Sequence, residues 1–150
     1  MDVSAHRSDR TPAPGPTTET TRAPVLRGVL GALLSFGALN AFGGGAYGLA
    51  GAPGVPTEWL EGTPFANYFI PSLLLVVVVG GSLALAAAAV FARWRTARVL
   101  AIAAGAILLG WLAVQVCIIG PVSWLQLVMA IVAPVILALA WWLPRRRAVG

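Results

Sequence analysis

A long charge-free segment constrains the fold of this chain more than any other feature. Residues 72–92 contain no charged side chain, and the run ends at Arg93, Arg95 and Arg98. A helix rises about 1.5 Å per residue, so this segment can cross the roughly 30 Å hydrocarbon core of a bilayer. A soluble helix of this length would need a polar face, and the segment has none. It therefore predicts a transmembrane helix.

Three further apolar runs are of similar length, and together the four runs predict an all-α membrane domain at residues 25–147. The four spans are expected at about residues 28–51, 68–92, 99–119 and 123–143. Two connections between them are short, which favours a four-helix transmembrane bundle with antiparallel neighbours. Residues 1–24 are polar and rich in proline and threonine, so we expect a disordered tail there.

Local signals refine the helix ends. Residues 57–61 predict one short helical turn at the membrane interface, in the first outer loop. Pro64 predicts the start of a helix that would be kinked at Pro71. Ser123 and Gln126 have the spacing of a capping box, which predicts the start of the fourth helix.

All ten basic residues are arginines, and they occur in three groups at the ends of the apolar runs. They are Arg7, Arg10, Arg22, Arg27, Arg93, Arg95, Arg98, Arg145, Arg146 and Arg147. With four spans the three groups share one side, so the positive-inside rule predicts that both termini are cytoplasmic. The arginines are then topology anchors in a cell membrane, and binding of nucleic acid is not expected. The bias toward Ala, Gly, Val and Arg without Lys is typical of a GC-rich bacterial genome.

Small residues recur on one face of the first span. Gly37, Gly44, Gly48 and Gly51 have helical spacing, and Asn40 joins the same face. Small side chains at this spacing let another backbone approach closely. We expect these residues to pack helices within the bundle, with Asn40 bonded across to a neighbouring helix. A seam between two copies is the alternative, and cleavage of the first span as a signal peptide is another.

The residues that perform most enzyme chemistry are scarce. The single histidine, His6, lies in the polar tail, and the single cysteine, Cys117, lies in an apolar run. No carboxylate lies inside a span, and no phosphate-binding glycine loop is present. The sequence therefore predicts no catalytic residue, no metal site and no cofactor. It also argues against an ion-coupled transporter acting alone, because such proteins need ionisable groups in the membrane.

Polar and aromatic side chains gather instead at the predicted outer end of the bundle. We predict a small pocket there, lined by Gln115, Asn67 and Tyr68, with Glu58 or Glu61 at its mouth. An unpaired amide in an apolar region costs a few kcal/mol, so Gln115 needs a partner. The alternative is that Gln115 only links two helices of the bundle.

Two segments of the chain carry a resemblance. Residues 58–71, followed by a valine-rich span with Gly80 and Gly81, are similar to small four-span integral membrane proteins of high-GC bacteria. Residues 111–126 show the same similarity. The resemblance covers about residues 28–143. These relatives are uncharacterised in function, so the resemblance implies a fold and a location and no activity.

Three functions remain open at this point. The sequence favours an accessory or interaction protein of the cytoplasmic membrane without catalytic machinery, whose glycine face meets a partner membrane protein or a second copy. The alternative is a small-molecule carrier or channel with an outer polar vestibule around Gln115. A lipid-modifying membrane enzyme is the third reading, and it is weakened because acids lie in only one loop after the tail.

Overall fold

The computed structural model describes residues 19–120 and 123–144. Four long helices make up most of this part, and no strand occurs in it. They are α1 (Glu19–Leu49), α2 (Phe69–Phe91), α3 (Ala97–Ile119) and α4 (Trp124–Trp142). Each helix contains a stretch long and apolar enough to cross a membrane, as an integral membrane protein requires. The predicted all-α fold with four such helices is confirmed.

Contacts across the seams show that sequential helices are antiparallel. Gly31 of α1 lies against Phe91 of α2, and Gly45 lies against Val76, so residue numbers rise along one helix and fall along the other. Helix α3 packs against α2 and α4, and α4 returns to α1. The four helices therefore form a closed ring, the arrangement of an up-down bundle.

Alanines fill much of the bundle interior. Six of them are completely buried: Ala86, Ala89, Ala101, Ala104, Ala133 and Ala140. Larger side chains such as Leu34, Leu83 and Ile136 are also inaccessible and fill the gaps between them. In lipid there is little hydrophobic force between helices, so close van der Waals contact of small residues must stabilise the bundle.

Helix α1 begins earlier than predicted. It starts at Glu19, so residues 19–24, which we expected in the disordered tail, are helical and include Pro24. Once the apolar part of a helix has formed, each residue added to its end costs little, since one hydrogen bond forms per residue fixed. The remaining tail, residues 1–18, lies outside the described residues.

Helix α1 ends before Gly51, which we had predicted as a packing residue. Gly51 has φ +94°. Its N–H donates to Gly48 O at 3.0 Å, while Ala52 N–H donates to Tyr47 O at 3.1 Å. This is a Schellman motif, in which a left-handed residue stops the helix. A Cβ at Gly51 would meet nothing within 4 Å, so Gly51 terminates the helix and no described atom of this chain packs closely against it.

Helix α2 begins at Phe69 and not at Pro64. Asn67 Oδ1 accepts a hydrogen bond from Phe69 N–H at 3.0 Å, which satisfies one of the free donors at the helix start. Pro71 is therefore in the first turn, where a missing N–H costs no intrahelical bond. The predicted long helix with an internal kink at Pro71 is wrong. The irregular part of α2 is instead a π-helical segment at Leu75–Gly80.

Two other local predictions can be compared with the structure. The loop before α2 contains a 3₁₀ turn at Thr57–Leu60, whose Leu60 is buried and which packs against α3. At the start of α4 the capping box is confirmed: Leu125 N–H donates to Ser123 Oγ, and Ser123 N–H donates to Gln126 Oε1, both at 3.2 Å.

Candidate functional site

Two adjoining cavities lie in the half of the bundle opposite the arginines. Their volumes are about 420 Å³ and about 180 Å³. Both are lined by Gly44, Leu75, Trp111 and Gln115, so these four residues form the boundary between them. No charged side chain lines either cavity. We call them the outer cavity and the inner cavity, the outer one being larger and nearer the loop at residues 50–68.

The loop between α1 and α2 covers the outer cavity. Val55, Leu60 and Phe65 from this loop contribute to its lining. Two tyrosines hold the loop in place: Tyr47 Oη donates to Pro53 O, and Tyr68 Oη donates to Pro56 O at 2.6 Å. Both tyrosines also line the cavity. The loop therefore acts as a cover whose position depends on two hydrogen bonds at the cavity edge.

Burial raises the pKa of the Tyr68 hydroxyl above its ordinary value of 10.0, and the negative charge of Glu58 raises it further. The folded protein therefore retains this proton at a pH where the unfolded chain has lost it. Because the unfolded state then binds fewer protons, the stability is intact below about pH 10 and falls as the pH rises further.

We expect Tyr68→Phe to lower the free energy of unfolding by about 0.5–1 kcal/mol, because it removes the bond to Pro56. In the variant, the unfolding free energy should also no longer show the decline above about pH 10 that the titration of Tyr68 causes. Unfolding of the detergent-solubilised protein between pH 8 and pH 11 measures both effects. An unchanged pH dependence in the variant would contradict the assignment.

The inner cavity brings together polar side chains from three helices. Asn40 of α1, Gln115 of α3, and Ser123 and Gln126 at the start of α4 all line it. Asn40 Nδ2 donates to Phe36 O of its own helix at 2.8 Å. The Asn40 amide therefore donates within α1, and the hydrogen bond predicted from Asn40 to a neighbouring helix is not the one observed. Asn40 and Gln115 face one shared cavity.

Two polar groups in the cavity walls have no hydrogen-bond partner within the described part of the chain. Trp111 Nε1 is buried from solvent and donates to no acceptor there. The Gln115 amide makes no hydrogen bond to any described residue, although it is partly buried. Residues four apart lie on the same helix face, so the two groups are neighbours. An unsatisfied buried donor costs about 1–3 kcal/mol, which a ligand acceptor could recover.

Glycines provide the space for these cavities. Gly37 and Gly44 line the inner cavity, and Gly44 also lines the outer one. A Cβ at Gly44 would lie 3.6 Å from Leu75 Cδ2, an ordinary contact, so the absence of a side chain there leaves open volume. On the facing helix, Leu75 and Val79 belong to the π-helical segment. Such segments often occur at functional sites.

The predicted vestibule residues are only partly brought together. Tyr68 and Gln115 both line the outer cavity. Asn67 is not among its lining residues and instead caps α2. Glu58 and Glu61 are exposed and lie outside the lining, although Glu58 is near enough to influence Tyr68. Neither glutamate therefore lines the cavity as the predicted acidic mouth would require, and Glu58 acts on the cavity by raising the pKa of Tyr68.

Sequence reasoning missed the part played by Trp111. Its i, i+4 spacing to Gln115 was the available signal, because it places an indole N–H beside an amide on one helix face. Among the predicted packing glycines, Gly44 borders both cavities, whereas Gly37 lies against Leu83, whose Cδ1 would be 3.2 Å from a Cβ there. Gly48 does pack, and a Cβ there would overlap the Ser72 side chain.

The arrangement can bind a molecule, and it offers little for covalent chemistry. Within residues 19–120 and 123–144 there is no group of three or more His, Cys, Asp or Glu side chains that could hold a metal ion. Cys117 is exposed on α3 and lines neither cavity. Comparisons with protein families, with curated proteins and with solved structures find no match to this chain.

Proposed function

We propose that this chain is a non-catalytic integral membrane protein that binds a small, mostly apolar molecule in one half of its helical bundle. The observation that carries the proposal is the pair formed by Trp111 Nε1 and the Gln115 amide. Both lie in an apolar cavity without a partner among the described residues. Specific small-molecule sites combine apolar walls with a few such polar groups in this way.

The chemistry of the walls defines the ligand class. No charged side chain lines the cavities, so a neutral molecule is favoured. Trp111 can only donate a hydrogen bond, whereas Gln115 can donate and accept. The ligand should therefore carry a carbonyl, ether or hydroxyl oxygen on an apolar body. The outer cavity, at about 420 Å³, is within the size range that holds drug-sized molecules.

The distribution of charge supports an outward-facing site. The described arginines lie at one end of the bundle, at the start of α1, in the α2–α3 connection and at the start of α3. The opposite end carries Glu58 and Glu61 and both cavities. By the positive-inside rule the arginine end would be cytoplasmic in a cell membrane, and the cavities would face the outer side.

The interaction role favoured by the glycine pattern has less support. Gly31, Gly45 and Gly48 are occupied by Phe91, Val76 and Ser72 of the same chain. These three glycines are therefore used for packing within the bundle and are not available to a partner helix.

A carrier is the second candidate, because the bundle has a further cavity at its arginine end. Between the two ends lies a closed layer that includes Leu34, Leu83 and Leu108, all buried. A carrier would have to separate this layer during each cycle. An open channel has no support, since the layer is tightly packed.

Adjacent glycines offer a sharp test of the proposed site. Gly44→Leu places a side chain in both cavities, whereas Gly43→Leu points into open space and is the matched control. Gln115→Leu removes the polar anchor without adding volume. The wild-type protein and the variants would be purified in mild detergent, and the small molecules retained by each would be quantified by mass spectrometry of an organic extract.

We expect one neutral species to be retained by the wild type and by Gly43→Leu. Its amount per protein should fall about tenfold or more in Gln115→Leu, because one lost hydrogen bond to a buried polar group is worth about 1–3 kcal/mol. A similar fall is expected in Gly44→Leu, because its side chain occupies the space of the ligand. Equal amounts in all four proteins, or no enriched species in the wild type, would contradict the proposal. Flux of the identified species in proteoliposomes would distinguish a carrier from a binding protein.

A further inference from the structure

The outer cavity is closed on the side of the loop between α1 and α2. Ala52 and Leu60 of this loop are buried, and both line the cavity. The 3₁₀ turn that ends at Leu60 packs against α3, and the hydrogen bonds of Tyr47 and Tyr68 hold the loop over the cavity. A molecule arriving from water would have to break these contacts before it could enter.

The seam between α2 and α3 opens toward the same end of the bundle. Helix α3 packs mainly against Gly81–Phe91 of α2, less against Leu75–Gly80, and hardly at all against Phe69–Leu74. The seam between α1 and α2 stays closed at this level, since Gly48 lies against Ser72. Helices α2 and α3 therefore diverge and leave a gap beside the outer cavity.

Exposed apolar side chains border this gap. Leu74 of α2, and Val114 and Ile118 of α3, line the outer cavity and are exposed. Val114 lies five residues before the end of α3 at Ile119. This separation is about 7.5 Å along the helix axis, so in a bilayer the gap is at the depth of the lipid tails. We call the gap between these three residues the side opening.

We propose, on the basis of the function proposed above, that the outer cavity takes its ligand from the bilayer through the side opening. The ligand class is thereby narrowed to neutral molecules that are dissolved among the lipid tails. Such a molecule meets apolar side chains all along this route and does not have to cross water. The route through the loop would instead require the buried side chains of Ala52 and Leu60 to become exposed.

The side opening also changes the size of ligand that the protein can bind. Trp111 and Gln115 lie beyond the opening, in the cavity wall, so an oxygen-bearing end that enters first can reach both of them. The rest of an apolar chain can remain among the lipid tails outside. Only the oxygen-bearing end then has to fit into the volume of about 420 Å³.

Each side of the opening has a matched control on its own helix. Val114 is 50% exposed and lines the cavity, whereas Val116 is 43% exposed and lines neither cavity. Leu74 is 40% exposed and lines the cavity, whereas Leu73 is 43% exposed and lines neither. Val114→Trp and Leu74→Trp each narrow the opening from one side. Val116→Trp and Leu73→Trp add the same side chain to the lipid-facing surface, and all four sites are exposed, so the variants should fold.

The measurement is the rate at which the retained species is exchanged. The probe is the total membrane lipid extract of the same host cells grown in deuterated medium, added to the purified protein in mild detergent. Native mass spectrometry follows the replacement of the bound unlabelled species by its deuterated counterpart. We expect equal rate constants for the wild type, Val116→Trp and Leu73→Trp, and rate constants about tenfold lower or less in Val114→Trp and Leu74→Trp, because the entrance limits exchange.

The outcomes separate this inference from the function on which it rests. If the wild type retains a species but the two narrowed variants exchange it as fast as their controls, the side opening is not the entrance, and the binding function stands. Equal slowing in all four tryptophan variants would also overturn the side entrance, since the effect would not depend on the gap. If the wild type retains no species, the proposed function itself is contradicted, and the entrance with it.

Discussion

Gly45→Leu is expected to destabilise the bundle by about 1–3 kcal/mol or more, one of the two largest effects that we predict. A Cβ at this position would overlap Val76 Cγ2 and would lie 3.1 Å from the backbone oxygen of Ser72. The side chain of Val76 could move, but the backbone of α2 could yield only if the two helices separated. Because the seam between α1 and α2 consists of such close contacts, the strain cannot be relieved locally.

The chain contains its own control for this substitution. Gly43 is two residues away on the same helix, and a Cβ there would meet nothing within 4 Å. Gly43→Leu should be neutral or slightly stabilising, since leucine has a higher helix propensity than glycine. Thermal unfolding in detergent measures both variants. Equal destabilisation by the two substitutions would mean that α1 and α2 do not meet at Gly45.

Leu83→Ala is the second substitution with a large expected effect, about 2 kcal/mol or more. Leu83 is completely inaccessible and fills the closed layer between the two ends of the bundle. It lies against Gly37 of α1, where a Cβ would be 3.2 Å from Leu83 Cδ1. Removing its branched end leaves a void that the neighbouring alanines are too small to fill.

Leu85→Ala is the control for this substitution, because it distinguishes the loss of interior packing from the loss of hydrophobic surface. Leu85 is 48% exposed on the same helix, whereas Leu83 is 0% exposed. Lipid tails are as apolar as leucine, so loss of the exposed side chain should change the unfolding free energy little. Titration with a denaturing detergent compares the two variants. A similar loss for both would show that the interior near Leu83 is not tightly packed.

Features that depend on local chemistry were predictable from the sequence. The absence of charge over residues 72–92 predicts a helix able to cross a membrane, and the structure has such a helix at Phe69–Phe91. The capping box of Ser123 and Gln126 depends on only four residues, and it forms as predicted. The start of α2 was not predictable in the same way: Pro64 gave a start signal, but the helix begins at Phe69, whose N–H donates to Asn67 Oδ1.

Which face of a helix packs against its neighbours was harder to predict. Periodicity placed Gly37, Gly44 and Gly48 on one face of α1, and that face exists. Gly37 and Gly48 are buried on the face that also holds Leu34 and Ala41, whereas Gly44 is exposed. At Gly44 the missing side chain leaves a gap between helices, and Gly44 borders both cavities, whereas Gly37 packs against Leu83 and borders only the inner cavity.

The candidate site depends on contacts that no local pattern specifies. The sequence identified Gln115 and Tyr68, because polar groups in apolar runs are conspicuous. It could not show that Trp111 Nε1 lacks a described partner, since that depends on α1, α2 and α4 together. Asn67 was assigned to the pocket for its polarity, whereas its Oδ1 accepts a hydrogen bond from the nearby backbone N–H of Phe69 at the start of α2.

The central claim is that the arginine end of the bundle is cytoplasmic and that the end with Gln115 and its cavities faces outward. Thr57 and Thr96 are exposed threonines at opposite ends, and Thr96 makes no side-chain cap bond, so both can be replaced with little disturbance. Thr57→Cys and Thr96→Cys would each be introduced with Cys117→Ser. A membrane-impermeant maleimide added to intact cells should label the first variant at once, and the second only after the membrane is opened. The reverse pattern, or equal labelling of both in intact cells, would contradict the account.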